Sequence, residues 1–219
     1  MAETVKTEQN LDELFKVGAH FGFGKSRRHP SAVPYIFGSK NRVDIFDLEK
    51  TQDSLNKAME LVASLAAANS VILFVGGKNE AQEIIKETAE KINMPYLAGR
   101  WIGGTLTNFP EIRKRIDMML NLLSQKEKGE LAKYTKKERL LIDKKIEKLQ
   151  KMFGGIKDMV ALPKALFIVD PRYEETALRE AQNLNIPVIA LCGSDNNVAN
   201  IDYPILANDS NMASIRYFL

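Results

Sequence analysis

Residues 70–77 read SVILFVGG: five consecutive apolar side chains, Val71 to Val75, running into a glycine pair. A run of this length without polar alternation fits a strand buried on both faces, which is the pattern of a parallel sheet covered by helices. The same design recurs as KALFIVDP at 164–171 and IPVIALCG at 186–193, and in shorter form as MPYLAG at 94–99 and YPILAN at 203–208. Between these runs lie NEAQEIIKETAEKI at 79–92 and EETALREAQNLN at 174–185, and NMASIRYFL closes the chain at 211–219. All three carry helical spacing. Buried strands alternating with helices predict a doubly wound, mainly parallel α/β sheet of the Rossmann or flavodoxin kind.

Upstream, LDELFKVGA at 11–19 reads as a short amphipathic helix that ends at Gly18. YIFGSKNRVDIF at 35–46 reads as two short strands, with the reversal at Gly38 to Asn41. The stretch 47–69 predicts a long helix, capped by Asp47 and ended by Asn69. Its apolar positions Leu48, Leu55, Met59, Val62 and Ala66 form the expected buried stripe.

Residues 107–153 carry no strand signal. Phe109, Ile112, Ile116, Met119 and Leu123 recur at spacings of three and four, and so do Ile142, Ile146, Leu149 and Phe153. Two narrow seams joined by a polar turn at 128–136 predict an antiparallel α-helical coiled-coil hairpin. The chain then divides into an α/β domain, 1–106 plus 154–219, and an inserted hairpin, 107–153. MPYLAG and KALFIVDP, which flank the insertion, are expected close together in the sheet. The hairpin's other faces are lysine-rich, at Lys136, Lys137, Lys144, Lys145, Lys148 and Lys151. They are either an ordinary solvated surface or the basic face of a projecting arm.

The composition is that of an ordinary globular chain: 219 residues, 45% hydrophobic and 27% charged. No apolar run reaches membrane-span length, and MAETVKTEQN lacks the features of a secretory signal. The single cysteine, Cys192, lies in a strand run and reads as buried packing. Together these features predict a cytosolic protein with no membrane contact.

The net charge of +3 conceals a polarised distribution. Lys16, Lys25, Arg27, Arg28, Lys40 and Arg42 occur within 16–42 with no Asp or Glu, and 111–152 holds thirteen Lys or Arg against seven acids. The remainder of the chain is net acidic. Basic surfaces on an acidic body point to a polyanionic partner. GKSRRHP at 24–30 and GSKNR at 38–42 place cations in loops and at a hairpin tip, where they would fix orientation on phosphates without reading sequence. His29 reads as a polar loop residue, and His20 as a hydrogen-bonded packing residue.

GRWIGGTLTNF at 99–109 holds the only tryptophan, next to Arg100 and followed by Gly103 and Gly104. Arg100 can meet phosphates. Trp101 has two roles open to it, stacking on a base or anchoring the hairpin root to the sheet, and the anchor is the favoured one.

Enzyme signals are sparse. Gly76 and Gly77 stand between strand and helix, but neither a phosphate loop nor a G-x-G-x-x-G turn is present, and a tight turn accounts for the pair. Asp170, Asp195 and Asp202 sit near strand ends, where caps and turns explain them better than a metal or an acid–base pair. A sugar-phosphate or nucleotide-binding enzyme on the same sheet is the alternative reading.

GAHFGF, PYIFGSKNRVDIFDLEKT, ILFVGGK, GRWIGGTLTNF, TKKE, GGIKDM and PKALFIVDPRYEETALREAQNLNIP stand in one order along the chain. In that order they resemble the bacterial small-subunit ribosomal protein two family, over residues 11–217. The resemblance implies an α/β domain with an inserted coiled-coil hairpin, and a structural role without enzymatic activity, cofactor or small-molecule substrate. It implies binding to 16S rRNA on the solvent side of the small subunit, near the head–body junction. Neighbouring small-subunit proteins would be further partners, among them the large, flexible ribosomal protein one. With the charge pattern, it makes Lys25, Arg27, Arg28, Lys40, Asn41, Arg42, Arg100, Lys136, Lys137, Lys144 and Lys148 the candidate RNA contacts. Phe23 stands where many relatives have a histidine, so a metal ligand is missing there. The chain also ends at Leu219, without the tail many relatives carry, and no contact made by such a tail is carried over.

Overall fold

The computed structural model of the protein describes residues 11–219. Its centre is a five-stranded sheet of β4 (Ile72–Val75), β5 (Tyr96–Leu97), β6 (Ala165–Val169), β7 (Val188–Cys192) and β8 (Tyr203–Leu206), every pair parallel. The spatial order is β5-β4-β6-β7-β8. The order reverses between β4 and β6, and in such sheets the crevice at that reversal, beyond the carboxyl ends of the strands, is where ligands bind. β4, β6 and β7 are buried along their whole length, as the continuous apolar runs require.

Alternate strand residues feed two cores. Leu73, Val75, Leu166 and Ile168 face one cluster with Ala177 and Ala181 of α6 (Glu175–Asn183). Ile72, Phe74, Phe167 and Val169 face the other, with Ile84 and Ile85 of α3 (Asn79–Lys91) and Ile215 of α7 (Met212–Phe218). Helix α1 covers residues 11–16, and Leu14 joins the second cluster.

A common chemistry ends the helices. After α1, the Ala19 amide donates to Leu14 O at 3.0 Å and the Gly18 amide to Phe15 O at 3.1 Å, with Gly18 at φ +72°. This paired closure needs a left-handed residue. Asn69, Asn93 and Asn185 supply it after α2 (Leu48–Ala67), α3 and α6, at φ 48°, 53° and 53°. Asparagine tolerates that conformation better than other non-glycine residues.

Helix α2 (Leu48–Ala67) starts at Asp47, whose side chain accepts from the Glu49 amide at 3.2 Å. The expected stripe is only half buried. The N-terminal half packs Thr51 and Gln52 inward against β8, but Met59 is 58% exposed and Val62 36%. Past Ala58 the helix turns Leu61 and Leu65 to the core instead, and the rest of the apolar stripe stays in water.

The segment before α2 forms a second, antiparallel sheet of β1 (Phe21–Gly24), β2 (Ile36–Lys40) and β3 (Val43–Phe46), ordered β1-β3-β2. The reversal lies at Asn41-Arg42 rather than at Gly38 to Asn41, because both residues take positive φ, 52° and 64°. That is the two-residue turn whose twist matches a hairpin. Gly38 instead lies within β2, beside a bulge.

Helices α4 (Phe109–Glu127) and α5 (Lys136–Phe153) pack on each other, with Ile116, Met119, Ile146 and Leu149 buried. TKKE is a capping box: the Thr135 hydroxyl accepts from the Glu138 amide, and the Glu138 carboxylate accepts from the Thr135 amide at 2.9 Å. Phe109, Ile112, Ile116, Met119, Leu149 and Phe153 are continuous with the sheet core. The strands flanking this segment are not neighbours, since β4 lies between β5 and β6.

Candidate nucleic-acid interface

At the crevice of the strand reversal, the polar groups that could hold a phosphate are paired within the protein. The Gly77 amide donates to Glu174 Oε1 at 2.7 Å, so the backbone donor best placed for a phosphate is already occupied. Beside it the Lys78 ammonium lies 3.3 Å from Asp170 and 3.2 Å from Asp209. The glycine pair is required by close approach, not by a tight turn, and neither residue has positive φ. A Cβ on Gly76 would run into Ile85 Cδ1, and one on Gly77 would stand 2.6 Å from Glu174 Oε1 and 2.8 Å from Gly99 O.

The three acids flagged in sequence are also engaged. Asp170 accepts from the Tyr173 amide at 3.3 Å, and Asp202 accepts from the Val188 amide at 3.0 Å. Asp195 lies in a turn, closed by the Asn196 amide donating to Gly193 O at 3.3 Å, and its side chain is also the partner of two guanidiniums, Arg27 at 3.0 Å and Arg172 at 2.6 Å. Phe23 lies under Arg27, 4.5 Å from the ring centroid. Cys192 is buried, and burial pushes its thiol well above the ordinary range.

Burial, with Asp170 next to it, pushes the Asp209 carboxyl from 3.8 up to about 7, against the opposing pull of Lys78. A carboxyl raised on folding takes up a proton as the chain folds between those two values, so stability falls as pH rises through that window. Asp209→Asn removes this dependence. Urea unfolding should show wild type losing ground to the variant between about pH 4 and 7, with a flat difference above. A difference independent of pH would place the Asp209 proton elsewhere.

GRWIGGTLTNF is shaped by one carboxylate that sequence reasoning missed. Glu180 on α6 is 6% exposed and receives the Trp101 indole N–H at 3.0 Å. It also receives the amides of Gly104 at 2.8 Å, Leu106 at 2.9 Å and Thr107 at 3.1 Å. Trp101 is 7% exposed, in the core with Leu106, Phe109 and Phe153. It is the anchor, not a stacking platform. Gly104 turns the loop at φ +88°, and Arg100 is exposed beside it.

The basic loop is divided by its pairing. Arg28 grips the buried Asp44 through two hydrogen bonds, one of 2.7 Å, and also reaches Ser39. It is therefore a strut of the small sheet. Arg27 is held by Asp195. The stretch lacks acids in sequence, but the fold brings two to it. Lys25, Lys40, Asn41 and Arg42 are exposed, and the Lys25 amide donates to Arg42 O at 2.9 Å, so these four share the hairpin end of the small sheet. Lys136, Lys137, Lys144 and Lys148 are exposed on α5, and no element joins them to the hairpin tip. His29 caps the 3-10 turn that follows it, accepting from the Ser31 amide at 3.2 Å. His20 packs by stacking on Phe15, with ring centroids 4.4 Å apart, rather than by hydrogen bonding: its buried Nδ1 has no partner among the described residues. Burial lowers its pKa.

The fold and site define a doubly wound α/β protein whose crevice donors are paired with its own side chains and whose exposed cations lie on peripheral elements. Comparison with known sequences narrows this. The profile of the family described as Ribosomal protein S2 matches residues 14–219. The chain is 46% identical over 207 residues to small ribosomal subunit protein uS2 of Roseiflexus castenholzii, covering 94% of this chain and 79% of that one. It is 41% identical to the Psychrobacter cryohalolentis protein of the same name over 219 residues, 100% of this chain and 83% of that one. The Spiroplasma citri protein is 45% identical over 208 residues, 95% of this chain, which spans 58% of that protein's length. The chain belongs to the ribosomal protein S2 family, which is structural and not enzymatic.

Proposed function

We propose that the protein is a structural component of the small ribosomal subunit, working on the ribosome in the cytoplasm, held on 16S rRNA at the head–body junction of the solvent side. Membership of the S2 family supports the subunit. The carrying observation for the RNA face is Lys25, Lys40 and Arg42, exposed together at one end of the small sheet while Arg28 is spent on Asp44. Cations in this position neutralise phosphates and release their counterions. We assign Arg100 and the α5 lysines Lys136, Lys137, Lys144 and Lys148 to the same role on a second face. Residues 107–153 then act as an inserted coiled-coil arm on the α/β body formed by 1–106 and 154–219.

Neighbouring small-subunit proteins complete the set of partners. Phe15, Phe21 and Phe37 are 63%, 49% and 81% exposed on α1 and the small sheet. Exposed aromatic side chains of this kind support a protein contact, and we give it to ribosomal protein one. The pairing of the Gly77 amide with Glu174 and of Lys78 with Asp170 argues against the alternative, a sugar-phosphate or nucleotide enzyme.

Changing Lys25, Lys40 and Arg42 together to alanine tests the RNA face while leaving the Arg28–Asp44 strut intact. The slope of log affinity against log salt for 16S rRNA should become shallower by about 2–3 units, from roughly 0.7–0.9 per lost contact. An unchanged slope in a folded variant would move the interface off this sheet.

A further inference from the structure

The apolar stripe of α2 leaves the core at Met59 and continues through Val62, Ala63, Ala66 and Ala67, all exposed. It ends at Ala68, where a groove of about 850 Å³ opens at the amino ends of the strands. Val71, Val160 and Leu162 line that groove and are 38%, 81% and 39% exposed. Nothing in the fold covers this surface among the described residues.

Its electrostatics differ from those of the proposed RNA faces. From Ala58 to Gly77 the chain has no cation, and Glu60 is its one charge. In the groove Lys157 and Lys164 stand with Asp158 and Glu90, so the charges balance. A phosphate backbone gains nothing from such a surface, and Glu60 repels it. Apolar protein side chains gain by leaving water there. The three alanines also leave room for large side chains of a helix lying close along α2.

We infer that the C-terminal half of α2 and the adjoining groove dock an apolar helical segment of a neighbouring protein in the small subunit. This rests on the functional reading above. The occupant is uncharged along its contact face and sets aliphatic side chains against Ala63, Ala66 and Ala67.

Val62→Glu with Ala66→Glu places two charges on the stripe at exposed positions, where helix and fold are retained. Co-sedimentation with small subunits lacking this protein should fall at least roughly ten-fold. Affinity for protein-free 16S rRNA should stay within about two-fold, because no phosphate-binding cation is altered. A photo-crosslinker at position 62 of the otherwise intact chain should join it to a protein. Equal losses on RNA and on subunits, or a crosslink to RNA, would overturn the inference, as would unchanged co-sedimentation. A free chain that dimerises, with the dimer lost in the variant, would give the face to a second copy and also overturn it. If the intact chain itself fails to co-sediment, the functional reading fails and takes this inference with it.

Discussion

Glu180→Ala should lower the unfolding free energy by about 3–5 kcal/mol, the scale of removing one partner from a buried, charge-assisted network. The indole N–H of Trp101 and the amides of Gly104, Leu106 and Thr107 all point at this carboxylate. Alanine leaves these donors unpaired in a closed space. Glutamine keeps the shape but turns an NH₂ group toward donors, so it should recover only part of the loss. Glu175→Ala, at the exposed Arg179 ion pair on the same helix, is the control and should fall within about 0.5 kcal/mol. Burial alone would raise the Glu180 pKa, but the hydrogen bonds from Trp101, Leu106, Gly104 and Thr107 outweigh it and lower the value below 4.5. With the folded value depressed, this stabilisation is complete above the unfolded pKa and is lost as pH falls through the folded one. Chemical unfolding at pH 7 and pH 3 should therefore show the difference between wild type and variant shrinking in acid. A small loss at pH 7 would mean that the loop is held by packing.

The second large effect concerns α4 and α5. Replacing residues 110–151 by a short Gly-Ser linker should leave an α/β domain that still unfolds cooperatively. It should be less stable by at least roughly 3–5 kcal/mol, the scale of losing even one or two of the large core side chains removed. Ile112, Ile116 and Leu149 leave the core that holds Trp101 and Phe153, and Arg113 no longer donates to Lys157 O and Met159 O at 3.0 and 3.1 Å. Co-sedimentation with small subunits should fall further, at least roughly ten-fold, because the four α5 lysines proposed to contact phosphates are removed. Outright unfolding would make the two helices part of the domain rather than an arm. Undiminished co-sedimentation would sink the assignment of Lys136, Lys137, Lys144 and Lys148.

The parts of the fold legible in sequence were those written locally. Five apolar residues in a row mark a strand with two buried faces, and Asn69 marks a helix end because few other side chains accept a left-handed backbone. What the sequence hid was pairing at a distance. The acid-free stretch 16–42 looked like a continuous basic surface, yet Asp44 and Asp195 withdraw two of its arginines. Glu180 carried no signal, since a glutamate between Arg179 and Ala181 reads as solvated surface until the loop 73 to 79 residues earlier closes over it. The α2 stripe misled in the opposite sense. Its helical period was real, but period alone does not say whether the burying partner belongs to the same chain.

Glu174 in the crevice also bears on the life of surplus copies. A protein that takes a metabolite in its cleft is stabilised by mass action whenever that metabolite is abundant. Here the occupant of the Gly77 amide is part of the chain, so its local concentration never changes. A phosphate competing for that amide would first have to displace Glu174. If the protein is held in the small subunit as proposed, a copy made in excess of its assembly partners lacks their stabilisation and relies on its intrinsic folding free energy. Quality control by proteases that act on transiently opened chains would then read stoichiometry directly, degrading copies that have found no subunit.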